Sequence, residues 1–460
     1  MRVTYIGHAT ALIEAGGVRL ITDPVFSEPL YCNTLWHYPP LAVGIADLPP
    51  LDFIYISHHH ADHFDPASLA QFDKSAALIV PALDEGWAPL NAPMQRERFH
   101  RSVRRLGFKT VHMLRAWETL ELAPEVWAVM VPAATLDPDS SLVVQTGGRT
   151  VFVQNDNYLG DRVCADLASR FPTIDLGLMF CGASIGYPAV ADLPDDVRVR
   201  EARRRKYEHF FPKARYYVEA LRPRLFVPFA NDLSWLAPED VWINRLCRVH
   251  PAEFLAYLEA HPLEGVTPVL MQSRDYWTPE DGVVRCAPPP DGSRFFEELE
   301  AYARAKRPAV AQLRAGERSL DTTGLAELFI RRMRRAAEAS DGAVRDVGRL
   351  TVHMSVQGRV PDEFTLTFRD GMCSVERGTP RGTWDLRITI DDFLLMGALR
   401  GKLEFQEIRN SRWRISHPGG YTEAMRRFWL WLCVHVDPYL AAIAEKEDVP
   451  DGGVGGVGDD

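Results

Sequence analysis

The chain of 460 residues has few cysteines, and none is placed to act with another. Its seven, Cys32, Cys164, Cys181, Cys247, Cys286, Cys373 and Cys433, are isolated; no Cys-x-x-Cys occurs, and the one Cys-x-His, Cys433 with His435, has no second pair near it in the sequence. That disfavours a structural zinc knuckle and a Rieske cluster carried by these residues, because both need two Cys/His pairs close together. Unpaired thiols in odd number fit a reducing compartment. Positive charge is also short: 52 Lys and Arg stand against 62 Asp and Glu, for a net −10. A chain so balanced is poorly suited to holding polyphosphate by charge, which disfavours nucleic acid as a partner. No apolar run approaches the ~18–20 residues of a membrane span, so no membrane partner is expected. The opening MRVTYIGHATALIE lacks a basic segment followed by an apolar core. It reads as a strand and not as a signal peptide, and a cytoplasmic location is expected. No internal repeat is present. Hydrophobic residues at 46% and charged residues at 25% are ordinary for a globular protein, which excludes disorder for the bulk of the chain.

At roughly 100–200 residues per domain, the length predicts two or three domains. Through about residue 290, short apolar runs alternate with turn signals: RVTYIGH, TALIEAG, VRLITDP, DFIYISH, AALIVP, VWAVMVPA, SLVVQTG, TVFVQND, LGLMF and RLFVPFA. These read as strands. Helical spacing of apolar residues predicts helices over 65–72, 195–221 and 251–261. Interleaved strands and helices mean an α/β layered fold. The prolines of CAPPPDGS (286–293) mark a boundary, since they continue neither a helix nor a central strand. Beyond it the pattern predicts helices over 293–306 and 322–340. An antiparallel meander (RLTVHMSV, EFTLTFRD, MCSVERG, DLRITID) and two last helices follow. The expected division is 1–290, then a smaller α+β domain over 291–450, then a disordered tail over 451–460. The basic runs REARRRK (200–206) and RRMRR (331–335) read as solvated helix faces.

One segment carries chemistry. Directly after the strand DFIYIS comes His58-His59-His60-Ala61-Asp62-His63-Phe64-Asp65. In extended chain, side chains two apart fall on one side, so His58 and His60 can grip one cation together. A turn after them presents Asp62 and His63 to a second position. Imidazoles and carboxylates suit zinc, iron or manganese. Four ligand-type residues within six, at a strand end, exceed what chance clustering gives. His59 points the other way and takes a supporting role. Asp65 either orients a ligand histidine or caps the helix that Pro66 opens, and the cap is preferred. His112, with apolar neighbours, reads as a satisfied strand residue, and His100 as a surface residue.

The His-x-His-x-Asp-His pattern resembles the metal motif of the metallo-β-lactamase superfamily, which implies an αββα sandwich. Within residues 4–27, GHAT with His8 and TDP with Asp23 are similar to the opening of that superfamily's small-molecule branch. The resemblance implies that FVQNDN ends in a bridging ligand, Asp156. It also implies that RLFVPFAND is the last ligand strand. His8 would then lie at the metal mouth as an acid/base, a substrate contact or a hydrogen-bonding support, and Asp62 and Asp156 join it as catalytic candidates. Asp23, Tyr187 and Asn231 are implied near the substrate, Tyr187 beside the small-residue turn of Gly182, Ser184 and Gly186.

The chain also departs from the superfamily pattern. Ala134 and Thr135 stand where a third histidine follows the VPA strand. Ala230, Asn231 and Asp232 stand where another follows the VPF strand. Both metal positions have thus lost an imidazole, and Asp139, ahead of Asp137, is the expected replacement. Oxygen ligands shift preference from zinc towards iron or manganese, and two histidines with a carboxylate are what non-haem iron needs. NDNYLGD, CGASIGYP, LRPRLFVPFA, YWTPEDG and the late IDDFLLMGALRGKLEFQEIRN are similar in order to the CMP-N-acetylneuraminate hydroxylase family, without its Rieske part. The expectation is an O₂-activating iron enzyme with one or two Fe ions, a small-molecule substrate and a separate electron-donor protein. A zinc hydrolase of an ester, amide or phosphodiester, and a non-catalytic binder with a vestigial site, are the alternatives. TVHMSVQGRVPDEFTLTFRDG with LRITIDDFLLMGALRGK resembles a sterol-carrier-protein-2-like module. Its apolar groove would take Phe428, Trp429, Trp431 and Leu432, although core packing is the preferred reading of these residues.

Overall fold

The computed structural model describes residues 1–84, 93–134, 139–183, 185–288, 292–409 and 412–436. Asp137, Ser184 and the segment 451–460 lie outside the described residues.

Two sheets face each other in the N-terminal part. The first has eight strands in the order Gly282–Val284, Tyr276–Thr278, Arg2–Gly7, Thr10–Ala15, Val18–Thr22, Phe53–Tyr55, Ala77–Pro81, Thr110–Leu114. The second has seven, in the order Thr267–Pro268, Leu225–Phe229, Leu176–Phe180, Arg149–Val153, Ser140–Thr146, Val126–Pro132, Thr119–Ala123. The period-2 alternation of a strand explains how one sequence serves two layers. Along Val126–Pro132, Ala128 and Met130 point into the core between the sheets, together with Val3, Ile13 and Ile54. Val129 and Val131 point outwards into a second core, covered by the helices Asp161–Arg170, Phe211–Leu221 and Pro251–Ala260. The result is the expected αββα layering.

Beyond residue 290 a five-stranded sheet runs Met372–Arg377, Asp362–Arg369, Leu350–Gln357, Leu386–Asp391, Trp413–Ser416. Its first three strands form the expected meander, but Leu386–Asp391 runs parallel to Leu350–Gln357. The link 378–385 carries the chain back past two strands. Alternation fixes which face of a strand is buried but not which neighbour it takes. Phe428, Trp431 and Leu432 are core residues of this layer, as preferred from the sequence, whereas Trp429 also borders a cavity. The two parts are joined through backbone. Ile415 N–H donates to Val190 O at 2.9 Å, and Asp192 N–H donates to Ile415 O at 2.7 Å.

Three helices differ from expectation. The helix after Asp65 is only Pro66–Leu69. The helix expected to end at 306 continues from Phe295 to Arg318 through Pro308. A proline costs one hydrogen bond there, but Leu299 and Ala303 before it and Val310 after it are all buried, and that packing holds the helix together. The helix over 195–221 contains a wide π turn at Arg205–Phe210. Pro212 has no N–H to give the turn before it, and its ring crowds that turn, which the wider winding accommodates.

Among the described residues no helix is long and apolar enough to cross a membrane.

Candidate metal centre

Four strand ends converge on one side of the sandwich, and each leaves its strand through a residue in the left-handed region. These are His8 (φ 51°), Asp23 (φ 32°), Asn155 (φ 58°) and Ala230 (φ 58°). Such backbone is costly for residues other than glycine and concentrates where side chains must be aimed. Ile56 N–H still pairs with Ile79 O, after which the chain bends, and His63 and Phe64 N–H both close back on His60 O. The motif is therefore a tight turn and not extended chain. Even so, it brings His58 Nε2 within 2.8 Å of His60 Nδ1, the pairing expected from the sequence.

The turn presents the remaining groups to the same place. His63 Nε2 lies 3.5 Å from Asp156 Oδ1 and 3.8 Å from Asp62 Oδ2. His58 Nε2 lies 3.7 Å from Asp156 Oδ1. His63 Nε2 and Asp156 Oδ1 are buried without a hydrogen-bond partner. Buried polar atoms are ordinarily satisfied, so two that face each other unsatisfied mark a place for a cation. Two ligand sets are close enough to hold one, His58/His63/Asp156 and His8/Asp62/His63. The donor set therefore fits one or two divalent ions.

The electrostatics agree. Burial works against a charged His63 ring, but Asp156, Asp62 and Asp23 outweigh it and hold its pKa well above the usual range. Burial also works against a charged Asp62, and His63 and His8 overcome it, holding the carboxyl well below its usual range. His59 is buried, and burial followed by the neighbouring His60 and His58 keeps it neutral.

A sandwich of two mixed sheets with helices outside, carrying this turn at its strand ends, matches a known domain. Residues 2–162 match the family model described as the beta-lactamase superfamily domain. The N-terminal part has the metallo-β-lactamase fold. A Mycobacterium tuberculosis protein named for a Rieske 2Fe-2S cluster is 32% identical over 278 residues, covering 58% of this chain and 51% of that protein. Mouse cytidine monophosphate-N-acetylneuraminic acid hydroxylase is 21% identical over 323 residues, 65% of this chain and 51% of that protein. The chain thus spans about half the length of these curated relatives. Among solved structures, the metallo hydrolase Igni18 of Ignicoccus hospitalis superposes with a TM-score of 0.41 at 16% identity, covering 60% of this chain and 96% of that one.

Around the metallo-β-lactamase turn, the other expected residues divide. Asp23 is fully buried; it accepts from Ser57 N (2.7 Å), Ser57 Oγ (2.6 Å) and, through Oδ2, faces His63 Nδ1 at 2.7 Å. It aims His63 and is out of reach of a substrate. Asp139 faces Nδ1 of His58 at 3.1 Å, the ring nitrogen not shared with His60. That differs from its expected place as a replacement ligand: the carboxylate meets the imidazole from behind. Burial pushes the Asp139 carboxyl up to about 6. Asp65 is the helix cap, accepting from Ala67 N and Ser68 Oγ and also from Ser27 N, so its role as an orienting group for a histidine is not realised.

His8 Nδ1 accepts from Asp232 N–H at 3.3 Å, which leaves the proton on Nε2, 3.1 Å from Asp62 Oδ2. Asp232 itself accepts from His8 N–H and from Tyr5 Oη. Asn231 borders the mouth and donates to Cys181 Sγ at 3.4 Å. Tyr187 does not reach this mouth but lines the neighbouring cavity.

His100, expected at the surface, is buried with Nε2 2.9 Å from Pro81 O. The basic run is also not a solvated face throughout. Lys206 is buried against Glu253 at 2.8 Å, and Arg205 lines a cavity.

Two residues of the site went unread in the sequence. Tyr31 donates its hydroxyl to Asp62 Oδ1, and Arg409 lines the mouth from the C-terminal part. Nothing local in YCN or in EIRN signals either.

Proposed function

We propose that the chain is a metalloenzyme in which His58, His60, Asp62, His63 and Asp156 hold iron, and that it oxygenates a small molecule. The observation that carries this reading is the ligand count. His58 Nε2, His63 Nε2 and Asp156 Oδ1, close enough to share one ion, make two imidazoles and one carboxylate, with Ala134 and Ala230 at two places where superfamily hydrolases carry histidine. Two histidines and a carboxylate leave positions open, as non-haem iron oxygenases require. When bound, iron supplies the one-electron chemistry that makes O₂ reactive towards a C–H bond.

The protein's own groups hold and shield. Tyr31 and His8 clamp Asp62, Asp23 fixes the tautomer of His63, and Asp139 with Ser57 fixes that of His58. Leu35, Phe180 and Ile185 wall a mouth of about 150 Å³ and limit water there. Inserting one oxygen atom and reducing the other to water takes two electrons and two protons besides the substrate. The sequence holds no two Cys/His pairs at the close spacing of a Rieske cluster, so we assign those electrons to a separate donor protein. The relatives named for a Rieske cluster and for a hydroxylase support this assignment.

A zinc hydrolase is the second reading, because two histidines and a carboxylate are also a catalytic zinc set, which lowers the pKa of its bound water to about 7. Elemental analysis of protein purified without chelator separates the two. Iron at one to two equivalents, with O₂ uptake on ferrous reconstitution, is expected. Zinc alone, with ester or phosphodiester cleavage and no O₂ uptake, would move the assignment to hydrolysis.

Asp23→Ala tests the aiming of His63. Metal affinity should fall about 10–100-fold in competition with a chromophoric chelator, as for other partners that orient a ligand histidine. Unchanged affinity would mean that His63 is held by packing alone.

A further inference from the structure

Beside the metal mouth lies a second cavity of about 430 Å³, within the range of small-molecule sites. Ile185 and Arg409 border both spaces, so the two are adjacent. One wall is aromatic: Trp413 and Trp429 pack with ring centres 4.7 Å apart, and Tyr187 stands among the other lining residues. The cavity is also cationic. Arg205 comes from the first residue of the π turn and Arg409 from the C-terminal part.

The charge on Arg205 is met only in part: Glu201, which also lines the cavity, acts on it from beyond ion-pair distance and is itself held by Arg204. Its neighbours in sequence are both paired, Arg204 with Glu201 at 2.8 Å and Lys206 with Glu253 at 2.8 Å. Arg205 instead lies over two rings, Tyr187 at 5.3 Å and Phe210 at 5.6 Å, and its Nε is buried without a partner. Among the described residues, neither Arg205 nor Arg409 has a carboxylate within ion-pair distance. A half-buried guanidinium is costly unless an anion meets it, and its planar fork matches the oxygens of a carboxylate or phosphate. π turns recur at functional sites, and this one places Arg205 at the cavity.

We infer that this cavity binds a flat aromatic anion, the ring on Trp413, Trp429 and Tyr187 and the oxyanion on Arg205 and Arg409. Calling that anion the substrate rests on the metalloenzyme reading above; the binding itself does not. From this cavity a ligand extends past Ile185 to the metal mouth.

The test is calorimetric titration of the full chain with 2-naphthoate, 2-naphthyl phosphate and neutral 2-naphthalenemethanol, with metal and after chelation. Naphthoate, the phosphate or both should bind at least about tenfold tighter than the alcohol, as a charged hydrogen bond implies. Chelation should leave that binding unchanged. Arg205→Gln and Arg409→Gln should each remove about tenfold from the anions and little from the alcohol. Tyr187→Leu should weaken all three. Whichever anion is preferred names the oxyanion. Equal binding of alcohol and anions, binding indifferent to both arginine substitutions, or binding lost on chelation would overturn the inference. The last outcome would place the oxyanion on the metal and leave the metalloenzyme reading intact.

Discussion

Replacing Asp156 with alanine should empty the metal centre. Its Oδ1 is the one described carboxylate oxygen that approaches both His58 Nε2 (3.7 Å) and His63 Nε2 (3.5 Å), and it is buried without a hydrogen-bond donor of its own. Removing it leaves His58 and His63 with no carboxylate between them, and the remaining carboxylate ligand, Asp62, lies 3.8 Å from His63 Nε2 on the side of Tyr31 and His8, which hold it. The loss should exceed the about 10–100-fold of an orienting partner. Bound metal should drop from one to two equivalents to below about a tenth, read by elemental analysis after gel filtration. Asp156→Asn keeps the shape and removes the charge, and should behave alike. Asp65→Asn is the matched control: that carboxylate caps a helix, and metal content should stay at the wild-type level. Circular dichroism shows whether each variant is folded. A folded Asp156→Ala protein that keeps a full equivalent of metal would sink the assigned ligand set.

Replacing Glu317 with alanine should cost roughly 3–5 kcal/mol of stability, the usual cost of leaving one partner of a buried ion pair alone. Glu317 accepts from Arg412 at 3.2 and 3.1 Å and from Asn33 Nδ2 at 2.7 Å. The Arg412 side chain is only 8% exposed, and it also donates to Cys32 O at 2.8 Å. The loop that Glu317 and Arg412 grip is strained: Tyr31, Cys32 and Asn33 all have left-handed φ, at 49°, 54° and 57°. Backbone of this kind persists only where its surroundings hold it. A lower urea midpoint is therefore expected, together with release of Tyr31 from Asp62 and weaker metal retention. Glu317→Met with Arg412→Met removes both charges and should recover much of the loss, since apolar replacement of a buried pair is often close to neutral. A Glu317→Ala protein as stable as wild type would show that water reaches Arg412.

Much of this was legible in the order of residues. Short apolar runs located the main strands, because a strand between two packed layers must be apolar on both faces. The spacing in His58-x-His60-x-Asp62-His63 put imidazoles and carboxylate at one turn, because side-chain direction over six residues is a local property. The cap at Asp65 is local too, since Pro66 follows it directly.

The tertiary structure decided what depends on distant segments. Asp139 was expected among the ligands because its type fits a metal. Only the meeting of two sheets turned it to the Nδ1 side of His58. Tyr31, Arg205 and Arg409 carry no pattern of their own: Tyr31 acquires meaning from Asp62, 31 residues on, and the two arginines from the cavity at the junction of the two parts. His100 went from an expected surface residue to a buried one because the Ala77–Pro81 strand offers it a carbonyl. Local spacing determined which atoms could bind a cation. Long-range packing determined which of them face one another, and what stands around them.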